Sequence, residues 1–227
     1  RAEAFGRARS ATSRARHHPL CGAFASYRHA FSPYFRGRVL RGALTVEPAA
    51  NGGELVGHYA EALPTGPVRL SGPVAQNGRT LFIDLAAVTD EGYHLRAFFS
   101  LFAPTPPASL LVGLHCGATL IGTVPEPSCS RLLLVRVPTT AAAAVERSNR
   151  YLEPAESLAC DLAALGLAVP DPAAELDDRL DTMLRGGSGG GLDQIEAAAY
   201  TALASVVDRI WLDTLAAGAA RIPLEAN

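Results

Sequence analysis

The amino-acid sequence predicts an α+β protein with a central antiparallel β-barrel or rolled sheet of about seven to eight strands, followed by a helical C-terminal region. Between residues 38 and 138, short β-branched and aromatic stretches alternate with Gly, Pro and Asn turns. This spacing is typical of an all-β meander. After residue 138 the pattern changes to Ala- and Leu-rich helical runs. A chain of 227 residues can bury one sizeable core.

Residues 1–37 are basic and rich in aromatic side chains, and we predict that they form an N-terminal arm or helix. Residues 1–41 hold nine arginines against a single glutamate. Arginines interleaved with Tyr and Phe can bind phosphates and stack on bases. The candidate nucleic-acid-binding residues are therefore Arg7, Arg9, Arg14, Arg16 and Arg28. Alternatively, the aromatic side chains close one end of the barrel, and the arginines face water or the acidic C-terminal helices.

Residues 38–138 form the predicted barrel domain. Its strands are expected at 39–46, 54–60, 67–74, 80–88, 93–102, 109–118 and 131–137. Asn77-Gly78 supplies the positive φ that a tight hairpin needs. In the strand 93–102, the apolar residues Leu95, Ala97, Phe99 and Leu101 share one face, which should therefore face the core. Closure into a barrel would remove edge strands that invite aggregation.

Residues 139–185 form a predicted helical region, with helices at 154–165 and 173–185. Asp171-Pro172 is typical of an N-cap followed by proline at the first helical position, and Gly186 is typical of a helix end. A Gly/Ser linker spans 186–191, and a C-terminal amphipathic helix follows at 192–218. Residues 139–227 carry fourteen acidic and six basic side chains.

The last helix has an apolar face suited to packing. The candidate oligomerisation residues on and beside this face are Ile195, Leu203, Val206, Ile210 and Trp211. Two arrangements are open: the helix packs against its own barrel, or it forms an antiparallel seam with another copy or a protein partner.

Several chemistries are excluded or disfavoured. All 20 basic residues are arginine, so the chain has no lysine for Schiff-base catalysis or for a P-loop. No nucleophile elbow, zinc-protease or dinucleotide-binding motif occurs in a suitable context. We predict no catalytic residue, no cofactor and no metal. His17-His18-x-x-Cys21 has borderline and soft ligands, but it lacks a distant fourth ligand.

Cysteine spacing and hydropathy bear on the compartment. Cys21, Cys116, Cys129 and Cys160 are scattered along the chain, and we expect buried free thiols. The start of the chain lacks the apolar segment of a signal peptide, and the apolar runs are too short to span a bilayer. The expected localisation is cytoplasmic, without membrane contact.

A ligand site inside the barrel is a further hypothesis, since an eight-stranded barrel is just wide enough for one small ligand. The polar side chains on the predicted strands are Tyr59, Arg69, Asp84, His94 and Arg96. They either line the interior and meet an anionic group or lie solvated on the outer face, because an unpaired buried charge is costly. His115 and Cys116 are strand neighbours, so one should face the core and the other the surface or lumen.

Two stretches carry a family resemblance. Residues 111–118 and 127–137 resemble the end of the C-terminal domain behind helix-turn-helix domains in some bacterial transcriptional regulators. The stretch Leu55-Val56-Gly57-His58-Tyr59 is similar to the Gly-x-Trp or Gly-x-Tyr opening of lipocalin-like barrels. The resemblance covers residues 38–138 and implies a regulatory, ligand-sensing or protein-contact barrel. The sequence departs from the pattern of those regulators in two ways. It has no recognisable helix-turn-helix within 1–40, and it adds about 90 helical residues after the barrel.

Three functions follow from these observations. The first is a non-enzymatic regulatory or interaction protein, part of a transcriptional regulator if a DNA-binding domain lies upstream. The second is a nucleic-acid-associated complex component that uses the arginine-rich arm. The third is a small barrel enzyme with His94 and Asp84 as acid-base pair.

Overall fold

A computed structural model describes residues 18–50, 53–89, 92, 94–119, 124–138, 142–186 and 193–219. Eight antiparallel strands form its barrel: β1 (Gly22–His29), β2 (Val39–Pro48), β3 (Leu55–Leu63), β4 (Gly66–Asn77), β5 (Thr80–Val88), β6 (His94–Phe102), β7 (Leu110–Ala118) and β8 (Pro127–Val137). Each strand pairs with the next along the chain, and β1 pairs with β8 as well as β2. The sheet is therefore closed, and the predicted fold class is confirmed.

The strand β1 lies in the segment that the sequence assigns to an N-terminal arm, so the predicted boundary at residue 38 is wrong. Its six central residues, 23–28, are all buried. One face of β1 points into the barrel, and the other is covered by helices. Because both faces are buried, the strand lacks the alternation of apolar and polar residues that marks a half-exposed strand. The seven other strands lie where the sequence predicts them.

Within the described ranges, four α-helices, a 3-10 helix (Pro33–Phe35) and one short strand complete the fold. The α-helices and the strand are α1 (Ala142–Arg147), β9 (Arg150–Tyr151), α2 (Leu158–Ala164), α3 (Ala174–Arg185) and α4 (Ala197–Ala219). The strand β9 extends the sheet beside β2. Gly186 ends α3 with a φ of 72°, as predicted. The predicted N-cap at Asp171 is wrong, because Ala173 occupies the cap without a side-chain hydrogen bond.

The core has two layers. Inside the barrel, alternate residues of each strand pack together, among them Phe24, Leu44, Ile83, Phe99 and Leu134. Outside, the opposite faces of β1, β7 and β8 pack against the helices. In β6 the buried face contains Ala97, Phe99 and Leu101, with Leu95 packed beside them, so the predicted core face is confirmed.

A buried ionic network fastens α2 to the outside of the barrel. The phenol of Tyr27 donates a hydrogen bond of 2.7 Å to Asp161 Oδ2, and Arg41 Nη1 lies 3.1 Å from Asp161 Oδ1. Arg41 also donates to the backbone oxygen of Ser148. Burial, followed by the neighbouring Asp161, raises the pKa of Tyr27, so the phenol remains a donor at neutral pH.

The last helix packs against its own chain. Leu203, Ile210 and Trp211 of α4 are buried, and Val206 is half-buried in the layer between barrel and helices. Ile195 is buried as well, but it precedes the helix, which begins at Ala197 rather than at the predicted residue 192. The ring of Tyr200 stacks on Phe102 with 4.7 Å between centroids. These five oligomerisation candidates therefore pack within their own chain. Assembly through this helix stays a prediction. Most of the linker lies outside the described residues.

A buried arginine, Arg136, closes the end of the barrel at which β1 begins. Arg136 donates to the backbone oxygens of Pro19, Cys21 and Ala108, the last two at 2.8 and 3.1 Å. Its guanidinium lies 4.7 Å from the ring centre of Phe24. These contacts attach the residues that precede β1 to the end of the lumen. Among the helices in the described ranges, none has the length and apolar composition needed to cross a bilayer.

Candidate functional site

A cluster of polar side chains lies at one end of the lumen, surrounded by otherwise apolar packing. Arg28 is at the end of β1, Tyr59 and Glu61 lie in β3, and His115 lies in β7. All four side chains are buried. Tyr59 and Glu61 are two residues apart, so the strand geometry places them on the same face. Three separate strands therefore deliver the cluster to one place.

The cluster contains a buried ion pair. Arg28 Nε lies 2.7 Å from Glu61 Oε1, and Arg28 Nη2 lies 2.7 Å from Glu61 Oε2. The Tyr59 hydroxyl donates a short hydrogen bond to Glu61 Oε1 and lies 3.3 Å from Ser26 Oγ. The two-point contact between Arg28 and Glu61 satisfies both carboxylate oxygens, which is the arrangement that makes a buried ion pair tolerable.

A glycine makes room for this cluster. Gly42 in β2 lies opposite Ser26 of β1 in the sheet. A Cβ atom at this position would lie 3.2 Å from the Tyr59 hydroxyl, 3.3 Å from Glu61 Cγ and 2.8 Å from the backbone oxygen of Ala60. The missing side chain therefore allows two large polar groups to fold into the lumen.

His115 is the one member of the cluster with an unsatisfied atom. Its ring packs against Phe99 and Phe31, with centroid distances of 4.8 and 5.0 Å. Nδ1 is buried and has no hydrogen-bond partner. Burial, and to a lesser extent the charge of Arg28, lowers the pKa of His115 to about 3. The imidazole is therefore neutral at physiological pH.

The other groups have fixed charge states as well. Burial by itself would raise the pKa of Glu61, but the charge and hydrogen bonds of Arg28 lower it overall. Burial and the carboxylate of Glu61 raise the pKa of Tyr59. For Arg28, the attraction of Glu61 outweighs the cost of burial, so its pKa is raised. At neutral pH the cluster consists of one cation, one anion and two neutral rings.

A small cavity adjoins the cluster. The space open to the centre of a water molecule is about 40 Å³, enough for a few waters or the polar end of a larger molecule. Its rim is mostly aromatic and aliphatic and includes Phe31, Leu63, Val68, Leu95 and Tyr151. The guanidinium of Arg28 lies 4.4 Å from the ring centre of Phe31. The site therefore combines a polar base with an apolar rim.

Larger depressions occur on the outside of the molecule. One of about 500 Å³ lies beside Arg69 and Glu146, and another of about 670 Å³ lies between α3 and α4. Arg69 and Glu146 pair with each other at 2.7 Å and are well exposed. These depressions offer less buried polar chemistry than the lumen, so we place the candidate site at His115.

The predicted ligand-binding residues are not gathered in one place. Tyr59 lies in the lumen, within the cluster. Arg69, His94 and Arg96 are exposed on the outer side of the barrel, and Asp84 is half-buried on the same side, which is the solvated alternative. Arg96 pairs with Asp84 at 2.9 Å, and Arg96 is also one of the residues that line the cavity. The enzyme hypothesis placed acid-base chemistry on His94 and Asp84, but no hydrogen bond or ion pair joins them in the described structure.

The nucleic-acid candidates divide in a similar way. Arg7, Arg9, Arg14 and Arg16 lie outside the described residues. Arg28 is buried in the lumen and bound to Glu61, so a phosphate would have to displace that carboxylate. This position corrects its assignment to a solvent-facing arm.

The remaining motif candidates have specific positions. His115 occupies the lumen, whereas Cys116 lies on the outer side. His17 is outside the described residues, and His18 Nδ1 accepts a hydrogen bond of 3.3 Å from the N–H of Leu20. Within the described ranges, no group of three His, Cys, Asp or Glu side chains is placed to hold a metal ion.

Three residues of the site, Arg28, Glu61 and His115, were not selected from sequence as ligand contacts, and Arg28 was selected only as a nucleic-acid contact. The period of two along β3 places Glu61 on the face of Tyr59, and this signal was available. His115 had the lumen as one of its alternatives, but nothing in the sequence links it to Arg28.

The chain matches no protein-family model, no curated protein and no solved structure.

Proposed function

We propose that this chain is a non-enzymatic binding protein whose barrel receives the uncharged polar group of a small molecule at His115. The apolar remainder of the ligand would lie against the rim around Phe31 and Leu95. In the regulatory form of this proposal, which the lipocalin-like resemblance implies, occupancy of the barrel is the sensed signal.

The observation that carries the proposal is the buried Nδ1 of His115. Buried polar atoms in proteins are almost always hydrogen-bonded, because an unsatisfied one costs about 1–3 kcal/mol. The atom belongs to a residue that lines the cavity. A hydroxyl, carbonyl or amide group of a ligand, or a water that it displaces, can supply the missing partner.

The charges favour an uncharged group. Arg28 and Glu61 neutralise each other at 2.7 Å, and the imidazole of His115 is neutral. A charged ligand would have to be desolvated without an opposite charge to meet it, which is costly. The limited space at the base of the cavity further restricts the buried part of the ligand to a few heavy atoms.

The same charge states argue against acid-base catalysis in the lumen. An efficient general acid or base has a pKa near the operating pH. His115 has a pKa of about 3, and the pKa values of Glu61 and Tyr59 are shifted away from neutrality in opposite directions. The cluster is therefore better suited to orienting a ligand than to moving a proton.

The proposal is tested with four probes that share one ring and differ in head group: cyclohexanol, cyclohexanone, cyclohexanecarboxylate and cyclohexylamine. Thermal unfolding of the full chain is measured against probe concentration, since a ligand that binds only the folded state raises the midpoint. We expect the alcohol or the ketone to raise the midpoint and the two charged probes to leave it unchanged.

Two variants locate the binding. His115→Phe removes the imidazole, and we expect it to abolish the shift. Arg69→Gln alters an exposed ion pair on the outer face and should retain the shift. Equal shifts in wild type and folded His115→Phe would reject the site, and stabilisation by the carboxylate alone would reject the uncharged ligand class.

A further inference from the structure

Two cysteines lie directly opposite each other on neighbouring strands. Cys116 of β7 is the register partner of Cys129 of β8. Their Sγ atoms are 3.1 Å apart. Cys116 and Cys129 form no disulfide with each other in the described structure. The expectation of buried thiols is wrong, because Cys129 and Cys160 are exposed and Cys21 and Cys116 are half-buried. The pair lies on the outer side of the barrel, whereas His115 faces the lumen.

We propose that Cys116 and Cys129 form a reversible cross-strand disulfide when the protein meets a low-molecular-weight disulfide such as oxidised glutathione. This modification site is independent of ligand binding in the lumen.

The strand pairing prepares the two side chains for this bond. Residues directly opposite each other in an antiparallel pair have Cβ atoms about 4.5–5.5 Å apart, close to the range of 3.5–4.5 Å in disulfides. An S–S bond is about 2.05 Å long, so the two sulfurs need to approach by about 1 Å. Such a movement requires side-chain rotation and small strand adjustments, and the register of β7 and β8 stays the same.

Access also favours reaction at this pair. Cys129 is exposed and Cys116 is half-buried, so a small oxidant can reach the sulfurs from solvent. Burial and the contact with Cys116 raise the pKa of Cys129 to about 12. Because Cys129 is then mostly protonated at neutral pH and only the thiolate reacts, exchange needs a long incubation.

The reaction is a two-step thiol–disulfide exchange. One cysteine thiolate attacks a sulfur of the oxidant and forms a mixed disulfide, and one glutathione thiolate leaves. The second cysteine loses its proton to water and attacks the protein sulfur of the mixed disulfide, which releases the second glutathione. In total, the two protein thiols are oxidised by two electrons, and one glutathione disulfide is reduced to two thiols.

The test is differential alkylation of the full chain after equilibration with millimolar oxidised and reduced glutathione. The reaction is quenched with acid, the pH is returned to neutral in urea that contains N-ethylmaleimide so that the remaining thiols are labelled, and the protein is digested with trypsin. Cys116 and Cys129 fall in one peptide, residues 97–131, because no arginine separates them. Cys160 falls in another peptide, residues 151–179, and acts as an internal control.

We expect the peptide 97–131 to lack two hydrogen atoms and to carry no maleimide, while the control peptide with Cys160 carries the label. The intramolecular disulfide should exceed the mixed disulfide with glutathione by roughly tenfold or more, because the folded chain holds the thiols at a high effective concentration. A reductant should restore both labels.

Two controls keep the result decisive. In folded Cys129→Ser, Cys116 can no longer be protected by a second protein sulfur, so it should carry maleimide or one glutathione. In concentrated urea the preference for the intramolecular bond should fall, because the strand pairing is lost. Maleimide on both cysteines of the oxidised native protein, or glutathione on each of them, would overturn the proposal.

Discussion

The guanidinium of Arg28 and the carboxylate of Glu61 face each other inside the barrel, with both nitrogen–oxygen distances at 2.7 Å. Each side chain is at most 6 % exposed. Burying such charges is costly, and the cost is offset only while both partners remain. The pair therefore makes the polar end of the lumen a place where single substitutions have large effects.

Replacing Glu61 with Gln should lower the free energy of unfolding by about 3–5 kcal/mol, because Arg28 would then be buried without its counter-charge. The exposed pair Arg69–Glu146 provides a matched control, and Arg69→Gln should cost less than about 1 kcal/mol. Urea denaturation measures both. The combined variant Arg28→Met with Glu61→Leu should recover much of the loss; comparable losses in Glu61→Gln and Arg69→Gln would contradict the buried pair.

The free energy of unfolding should depend on pH in a way that reports the low pKa of His115. Its folded pKa of about 3 lies below the unfolded value near 6.5. Between these pH values the unfolded chain binds a proton that the folded chain does not bind, so stability falls as the pH is lowered from 6.5 toward 3. The contribution of the neutral His115 to the free energy of unfolding is fully present above pH 6.5.

His115→Gln should flatten the slope of stability against pH between 6.5 and 4.5 by about one proton. Urea midpoints at several pH values measure this slope. The matched control is His29→Gln: burial lowers the pKa of His29, but this side chain is half-buried, so its contribution should be smaller. An unchanged slope in His115→Gln would show that the imidazole titrates normally in the folded state.

Gly42→Ala should lower stability by about 1–3 kcal/mol, because overpacking forces shifts in neighbouring groups. The added Cβ would meet the backbone oxygen of Ala60 at 2.8 Å, and a backbone atom yields less easily than a flexible side chain. Gly218→Ala in α4 is the opposite control. Nothing lies within 4 Å of its added Cβ. Alanine favours a helix interior by about 1 kcal/mol, and the gain should be smaller at Gly218, the second-last residue of α4. The midpoint of thermal unfolding should fall for Gly42→Ala and rise for Gly218→Ala.

Tyr27→Phe should cost about 1.5–3 kcal/mol, because the phenol donates to the charged carboxylate of Asp161 in a buried setting. Amide hydrogen exchange in α2 should increase at the same time, since Tyr27 and Arg41 attach this helix to the barrel through Asp161. Tyr34→Phe is the control, because this side chain is 74 % exposed. Unchanged exchange in α2 would mean that Arg41 alone holds the helix.

How much of the molecule the sequence predicts depends on how many faces of each element are covered. The strand β6 was identified with its core face because its outer face meets solvent, which leaves an alternation of apolar and polar residues. The strand β1 was missed because the lumen and the helices bury both of its faces. Its arginine and aromatic residues then resembled a basic arm.

The candidate site shows the same limit. Tyr59 could be selected as a polar residue on a strand, and the period of two places Glu61 on the same face, although Glu61 was not selected. The contact of Arg28 with Glu61 joins residues 33 positions apart, and His115 comes from a third strand. No local pattern connects these residues, because their proximity depends on barrel closure between β1 and β8.

The sequence by itself determined the class of the fold, most strand positions, the hairpin turn at Asn77-Gly78 and the end of α3 at Gly186. These features depend on local backbone preferences and on the periodicity of burial, which are written in neighbouring residues. Tertiary structure alone decided which polar side chains lie in the lumen, which face of α4 is covered, and which cysteines lie opposite each other. Those outcomes depend on contacts between distant strands and helices, which form only when the barrel closes.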